Sequence, residues 1–208
     1  KEALGIIFFF SAFYFFVLSL KSEHRYSYLY GFPAGLSTAL LGMTWGGVNF
    51  IFLIIAGTTI IKILVDNFSK KEFYAYAIWW AVTFLLLNRF YNYYYGFGQI
   101  LIALTTEIAL IALITGFIYY LINDLNLLKI KEKYPVGLLS FGITLFIGLI
   151  FIVSFYGTDF IYDKILNLFI DLTRPFSRNR WALTVAESQQ PFVRSWFGDF
   201  GRTFMYLF

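Results

Sequence analysis

The chain contains no cysteine, which excludes disulfides and thiolate metal centres. Its single histidine, His24, excludes a multi-histidine zinc site. Charge is scarce: 13% of residues are Asp, Glu, Lys or Arg. The net charge of +4 lies in loops and forms no basic domain face, so nucleic acid is not an expected partner. What remains is 60% hydrophobic and 23% aromatic, with a mean hydropathy of +0.71. That balance places residues 1–208 in the membrane class, as one transmembrane domain with no soluble module. The sequence opens at Lys1 directly into an apolar run and stops at Phe208 inside another. Both features lead to the expectation of an internal fragment of a larger polytopic protein.

A bilayer core requires roughly 20 apolar helical residues per span. Residues 3–20 form the first candidate. Residues 31–68 are too many for one span and are interrupted at Thr44-Trp45-Gly46-Gly47. They divide into a short helix over 32–43 and a longer one over 48–65. Spans over 73–87, 99–122 and 136–156 follow, and 192–208 begins another. This division puts three lysine-bearing loops on one side: Lys21 with Arg25, then Lys70 with Lys71, then Lys129, Lys131 and Lys133. The opposite short loop, 88–98, carries only Arg89. The positive-inside rule then makes the lysine side cytoplasmic. Glu2 and the interval 157–191 fall on the extracellular face of a multi-pass cell-membrane protein.

That outer interval concentrates the polar residues. Asp159, Asp163, Asn167 and Asp171 recur every four residues, with Ile161, Ile165, Leu168 and Leu172 between them. The pattern predicts an amphipathic helix over 159–172 lying in the membrane interface and ended by Pro175. A polar loop with Thr184, Val185, Ala186, Glu187, Ser188, Gln189 and Gln190 follows. A loop carboxylate such as Glu187 can ligate a hard divalent cation, and it can equally be a solvated loop side chain. Glu2 is either a second ligand on the same face or a charge complementing a helix dipole.

Glu107 follows Thr105 and Thr106 in an apolar run. It is a functional candidate at membrane depth, or a solvated residue near the outer interface. Trp45-Gly46-Gly47 reads as a tight turn with close packing. Tyr91-Asn92-Tyr93-Tyr94-Tyr95-Gly96-Phe97-Gly98 reads as an interfacial aromatic belt, with a sugar-stacking surface as the alternative. His24 beside Arg25 reads as a headgroup contact. Arg174, Arg178, Arg180, Arg194 and Arg202 replace lysine in the outer region, where they serve phosphate binding or anionic headgroups.

Taken in order, these strings resemble the catalytic subunit of oligosaccharyltransferase, archaeal type, the enzyme of asparagine-linked glycosylation. Lys1-Glu2 followed by an apolar helix resembles the end of the family's second acidic motif. Residues 33–52, PAGLSTALLGMTWGGVNFIF, resemble its Ala-Gly…Trp-Gly-Gly segment, and Thr105-Thr106-Glu107 falls in a later span. Thr184-Val185-Ala186-Glu187 resembles its external-loop motif, with valine in place of the archaeal isoleucine. The family's first external-loop aspartate, the aspartate of its second acidic motif and its Trp-Trp-Asp motif are not among these residues.

The resemblance implies an all-α, polytopic transmembrane helical bundle of the GT-C glycosyltransferase type, here about six spans plus the start of a seventh. It implies transfer of an oligosaccharide from a polyprenyl (dolichyl)-phosphate-linked donor to the asparagine of an Asn-x-Ser/Thr acceptor polypeptide. Glu187 would be catalytic and, with Glu2, would ligate Mn2+ or Mg2+. Thr184 would support the loop, and Arg180, Arg194 and Arg202 are candidates for the donor phosphate. Taken alone, these residues are expected to be inactive. Two other readings remain: a different polytopic lipid-linked-sugar glycosyltransferase, or a transporter that uses Glu107 as its coupling residue.

Overall fold

The computed structural model describes residues 2–22, 24–124 and 135–173. Among them the chain is all-helical, without strands. It falls into two compact units, Lys1–Leu149 and Ile150–Phe208.

In the first unit the helices are α1 (Glu2–Lys21), α2 (Gly31–Thr44), α3 (Val48–Leu64), α4 (Lys70–Phe90), α5 (Asn92–Tyr95), α6 (Phe97–Ile102) and α7 (Leu104–Asp124). A 3-10 turn at Ser27–Tyr30 leads into α2. The last helix, α8 (Val136–Thr173), begins in this unit. Ala3–Lys21, Leu104–Asn123 and Val136–Gly157 are each long and apolar enough to cross a membrane. The chain therefore has the character of a membrane protein. Val48–Leu64 is a shorter apolar helix, and α4 carries Lys70, Lys71 and Glu72 in its first turn and Arg89 in its last.

Local chemistry sets the helix ends. Trp45 is extended (φ −151°, ψ 137°), and with Gly46 and Gly47 it breaks the run between α2 and α3. The α4 N-terminus is a capping box. Ser69 Oγ accepts from the Glu72 N–H, and the Glu72 carboxylate accepts from the Ser69 N–H. That box lets the helix begin at Lys70, three residues before the apolar run starts. The span anticipated over 99–122 is divided at Ala103 (φ −73°, ψ 126°) into α6 and α7. Thr106 is buried, and its hydroxyl lies 3.0 Å from both the Ile100 and the Ala103 carbonyls exposed by that break.

Packing follows the small residues of α2. A methyl group on Gly31 would lie 2.4 Å from the Ala75 carbonyl oxygen, and one on Gly35 2.8 Å from that of Trp79. The Gly31-x-x-x-Gly35 spacing thus brings the α2 and α4 backbones together, as small residues do between membrane helices. Fully buried Trp79 centres this layer, with its ring 5.2 Å from Tyr76, 6.0 Å from Phe16 and 6.3 Å from Phe52. Its indole N–H donates to Thr38 Oγ1 at 3.0 Å, and Tyr76 Oη donates to the Ala109 carbonyl at 2.8 Å. α3 packs on α7, and α1 packs on α2. Thr115 bonds Thr144 at 3.1 Å, joining α7 to the first part of α8.

In the second unit, the described residues continue α8 from Ile150 to Thr173. Gly157 interrupts that helix with φ 78° and ψ 171°, a conformation glycine adopts without a Cβ penalty. Residues 159–172, read from sequence as a separate amphipathic helix, are helical and follow this break. Pro175 and the loop beyond it lie outside the described residues.

Candidate functional site: an aromatic cleft at one end of the bundle

The helices of the first unit present two chemically different ends. At one end, Lys71 Nζ donates to the Ser22 carbonyl after α1, and Lys62 of α3 pairs with Glu72 of α4. Lys70 lies over the Tyr120 ring, 5.1 Å from its centroid. The first two lysine loops read from sequence as sharing one side, after α1 and before α4, thus meet at one end of the bundle; the third, with Lys129, Lys131 and Lys133, lies outside the described residues. Exposed His24 belongs to this end, its N–H reaching Ser22 Oγ at 3.4 Å.

The opposite end is aromatic. The break after Thr44 throws Trp45 against the start of α1. Its ring centroid is 6.4 Å from that of Phe9, and its Cβ would lie 3.2 Å from a methyl group placed on Gly5. The indole also covers Gly47, where any Cβ would lie 2.3 Å from a ring carbon. Asn49 anchors this turn: its Nδ2 donates to the Gly46 carbonyl at 3.3 Å, and its Oδ1 accepts from Thr105 Oγ1 at 2.9 Å. Across from it, Tyr91 and Tyr94 stack with centroids 5.1 Å apart. Asn88 Nδ2 donates to the Tyr95 carbonyl at 3.2 Å, holding α5 on the end of α4.

Between the two motifs lies a cleft of about 370 Å³, lined by Gly42, Met43, Thr44, Trp45, Gly46, Tyr91, Tyr94 and Tyr95. The Trp-Gly-Gly turn and the tyrosine-rich loop, read from sequence as separate features, form one concave surface. Burial, followed by the neighbouring Tyr91, pushes the Tyr95 phenol above its ordinary pKa. Tyr95 is therefore a neutral hydroxyl at physiological pH.

Glu107 belongs to this end. It occupies the first turn of α7, its N–H bonded to the Ala103 carbonyl at 2.9 Å, two residues after the Thr105 that holds Asn49. Its position is the end of a helix, where an acidic residue complements the dipole. Glu2 opens α1, whose Gly5 and Phe9 meet Trp45. The other sequence candidates, Arg180, Thr184, Val185, Ala186, Glu187, Arg194 and Arg202, lie outside the described residues, as do Arg174 and Arg178. Among the described residues no group of three or more His, Asp or Glu side chains could hold a metal ion.

Sequence reasoning passed over Asn49, the residue that joins the turn to α7. Its signal was slight, one amide two residues after a glycine pair. No protein family, curated protein or solved structure matches this chain.

Proposed function

We propose that the chain is membrane-embedded machinery of an oligosaccharyltransferase. The enzyme would transfer a glycan from a polyprenyl-phosphate-linked donor to the asparagine amide of an Asn-x-Ser/Thr sequon. The ordered set of motifs carries this reading: an acidic residue opening α1, the Trp-Gly-Gly turn, Thr105-Thr106-Glu107, and the external Thr184-Val185-Ala186-Glu187. One structural relationship supports it. The three of these that the described residues include, at Glu2, Trp45 and Thr105, come from distant parts of the sequence and belong to the same end of the bundle.

In this reading the aromatic end faces outside and the lysine end the cytoplasm. Glu187 and Glu2 would hold Mn2+ or Mg2+, hard cations that take carboxylate oxygens. Bound there, the metal would supply a positive charge near the leaving phosphate. An amide nitrogen is a poor nucleophile, so the Glu187 carboxylate would also hold the acceptor amide in position. Arginine guanidinium groups, drawn from Arg180, Arg194 and Arg202, would stabilise charge accumulating on the phosphate. The transporter alternative asks for an ionisable group along a transmembrane path, whereas Glu107 occupies the first turn of α7.

The test is glycopeptide formation. Purified full-length protein, a polyprenyl-phosphate-linked glycan and an Asn-x-Thr peptide should yield glycopeptide with Mn2+ present and none after chelation. Transfer to lipid or to free sugar, with the peptide untouched, would point instead to another lipid-linked-sugar transferase.

A further inference from the structure

The cleft has an electrostatic character of its own. Trp45 leaves α2 abruptly, so no later N–H folds back onto the last turn. Among the described residues, the carbonyls of Gly42, Met43 and Thr44 accept no hydrogen bond. They are the negative end of the α2 dipole, and all three residues line the cleft. The remaining wall is Gly46 and four aromatic residues, Trp45, Tyr91, Tyr94 and Tyr95. Aromatic faces are also regions of negative potential.

Among the described residues, no acidic or basic side chain lines the cleft. Arg89, the basic residue nearest in sequence, lies over the Phe90 ring, 5.9 Å from its centroid, and is not part of the lining. The donors in the wall are neutral, the Gly46 amide, the Trp45 indole N–H and the hydroxyls of Tyr91, Tyr94 and Tyr95, and none brings a positive charge. Carbonyl oxygens and ring faces therefore share one sign. A phosphate or carboxylate would meet them unfavourably. A neutral sugar could stack on the same rings, but it brings no charge to the unpaired carbonyls, and competition by methyl glucoside separates it from a cation in the test below. An organic cation uses both, since quaternary ammonium groups are held by aromatic faces.

We propose that the cleft formed by the end of α2 with Tyr91, Tyr94 and Tyr95 binds an organic ammonium group of about the size of choline. The volume of about 370 Å³ admits such a group. The ammonium comes either from a zwitterionic lipid headgroup at the membrane surface or from a soluble amine. This site goes beyond the glycosyl-transfer reading and is measured without it, because its readout is binding alone.

The full chain, reconstituted in phosphatidylglycerol nanodiscs that contain no ammonium, is titrated with choline. Saturation-transfer NMR reads the choline methyl signals. The control is 3,3-dimethyl-1-butanol, which has the same shape and no charge. Choline should saturate, with the neutral isostere at least tenfold weaker. Tyr94 is 59% exposed, so its substitution is tolerable to the fold. Tyr94→Leu should weaken choline about tenfold, and Tyr94→Phe, which keeps the ring, should not. Nanodiscs of phosphatidylcholine decide the source: loss of soluble choline binding identifies the headgroup, and unchanged binding identifies a soluble amine. Equal affinity for choline and its isostere, choline that never saturates, or displacement of choline by methyl glucoside but not by tetramethylammonium would each overturn the proposal. The comparison on the unsubstituted chain decides the matter even if a variant fails to fold.

Discussion

Asp66 Oδ1 accepts a hydrogen bond from the Gly137 N–H at 2.7 Å, across 71 positions of sequence. Asp66 has φ 55°, the left-handed conformation usually left to glycine. It closes α3 in a Schellman pattern: its N–H donates to the Ile63 carbonyl at 2.9 Å, and the Asn67 N–H donates to the Lys62 carbonyl at 2.9 Å. Glycine would relieve the backbone there but could not also cap α8. Aspartate tolerates the left-handed region better than most residues and supplies the acceptor. Asp66→Ala loses the cap and keeps the backbone cost, so it should destabilise by about 2 kcal/mol. Asp66→Gly loses only the cap, about 1 kcal/mol. Asp66→Asn should stay near the parent. Thermal unfolding in detergent orders the three, and Asp66→Gly falling below Asp66→Ala would contradict the dual role.

Backbone contact gives a second prediction. A methyl group on Gly137 would lie 1.8 Å from the Ile63 carbonyl oxygen, and one on Gly31 2.4 Å from that of Ala75. Both obstacles are backbone, so whole helices must separate. Gly137→Ala and Gly31→Ala should each destabilise by about 2 kcal/mol or more, at the upper end of overpacking costs. Gly57 lies in the middle of α3, and a methyl group there meets nothing within 4 Å. Gly57→Ala should be neutral or raise stability by up to about 1 kcal/mol through helix propensity. Similar losses at all three positions in a thermal-shift series would mean that close approach is not what these glycines serve.

The helices were legible wherever apolar runs had strong punctuation. Trp45-Gly46-Gly47 announces the break between α2 and α3. The charged start of α4 was harder: a hydropathy reading trims Lys70, Lys71 and Glu72, although Ser69 and Glu72 carry capping-box spacing. The break at Ala103 was not legible, because no glycine or proline marks it and its carbonyls are satisfied by a threonine three residues on. Of the candidate site, its two motifs could be read but not their meeting, which depends on how α1, α2, α4 and α5 pack. The link from Asp66 to Gly137 leaves no local pattern at all. The loop with Glu187, the main sequence candidate, lies outside the described residues.

The two ends of the bundle yield a labelling prediction, made clean by the absence of native cysteine. Asn67 lies in the exposed loop between α3 and α4, at the lysine end, and Asn92 is exposed at the aromatic end. In intact cells a membrane-impermeant maleimide should label Asn92→Cys and spare Asn67→Cys until the membrane is permeabilised. The reverse pattern would invert the orientation and move the polar interval to the cytoplasm. Labelling of both from outside would mean that α4 does not cross the membrane.

The proposed chemistry makes Glu187 the most sensitive position. Glutamine keeps the size of the side chain and removes its charge, so a hard cation loses an anionic ligand. In the full-length protein, Glu187→Gln should lower glycopeptide formation on the order of a thousandfold, the equivalent of about 4 kcal/mol of barrier. The folded fraction should not change. Glu2→Gln should act in the same direction and shift the Mn2+ concentration needed for half-activity upward. Glu107 opens α7 and complements its dipole, so Glu107→Gln should cost less than about 1 kcal/mol in stability and little in rate. Asp159→Asn, at a charged position outside the motif, is the neutral control. Rates are compared under saturating donor across a Mn2+ titration. A Glu187→Gln protein with the parent's rate and metal dependence would remove the metal site from this loop, leaving a resemblance of fold without the activity.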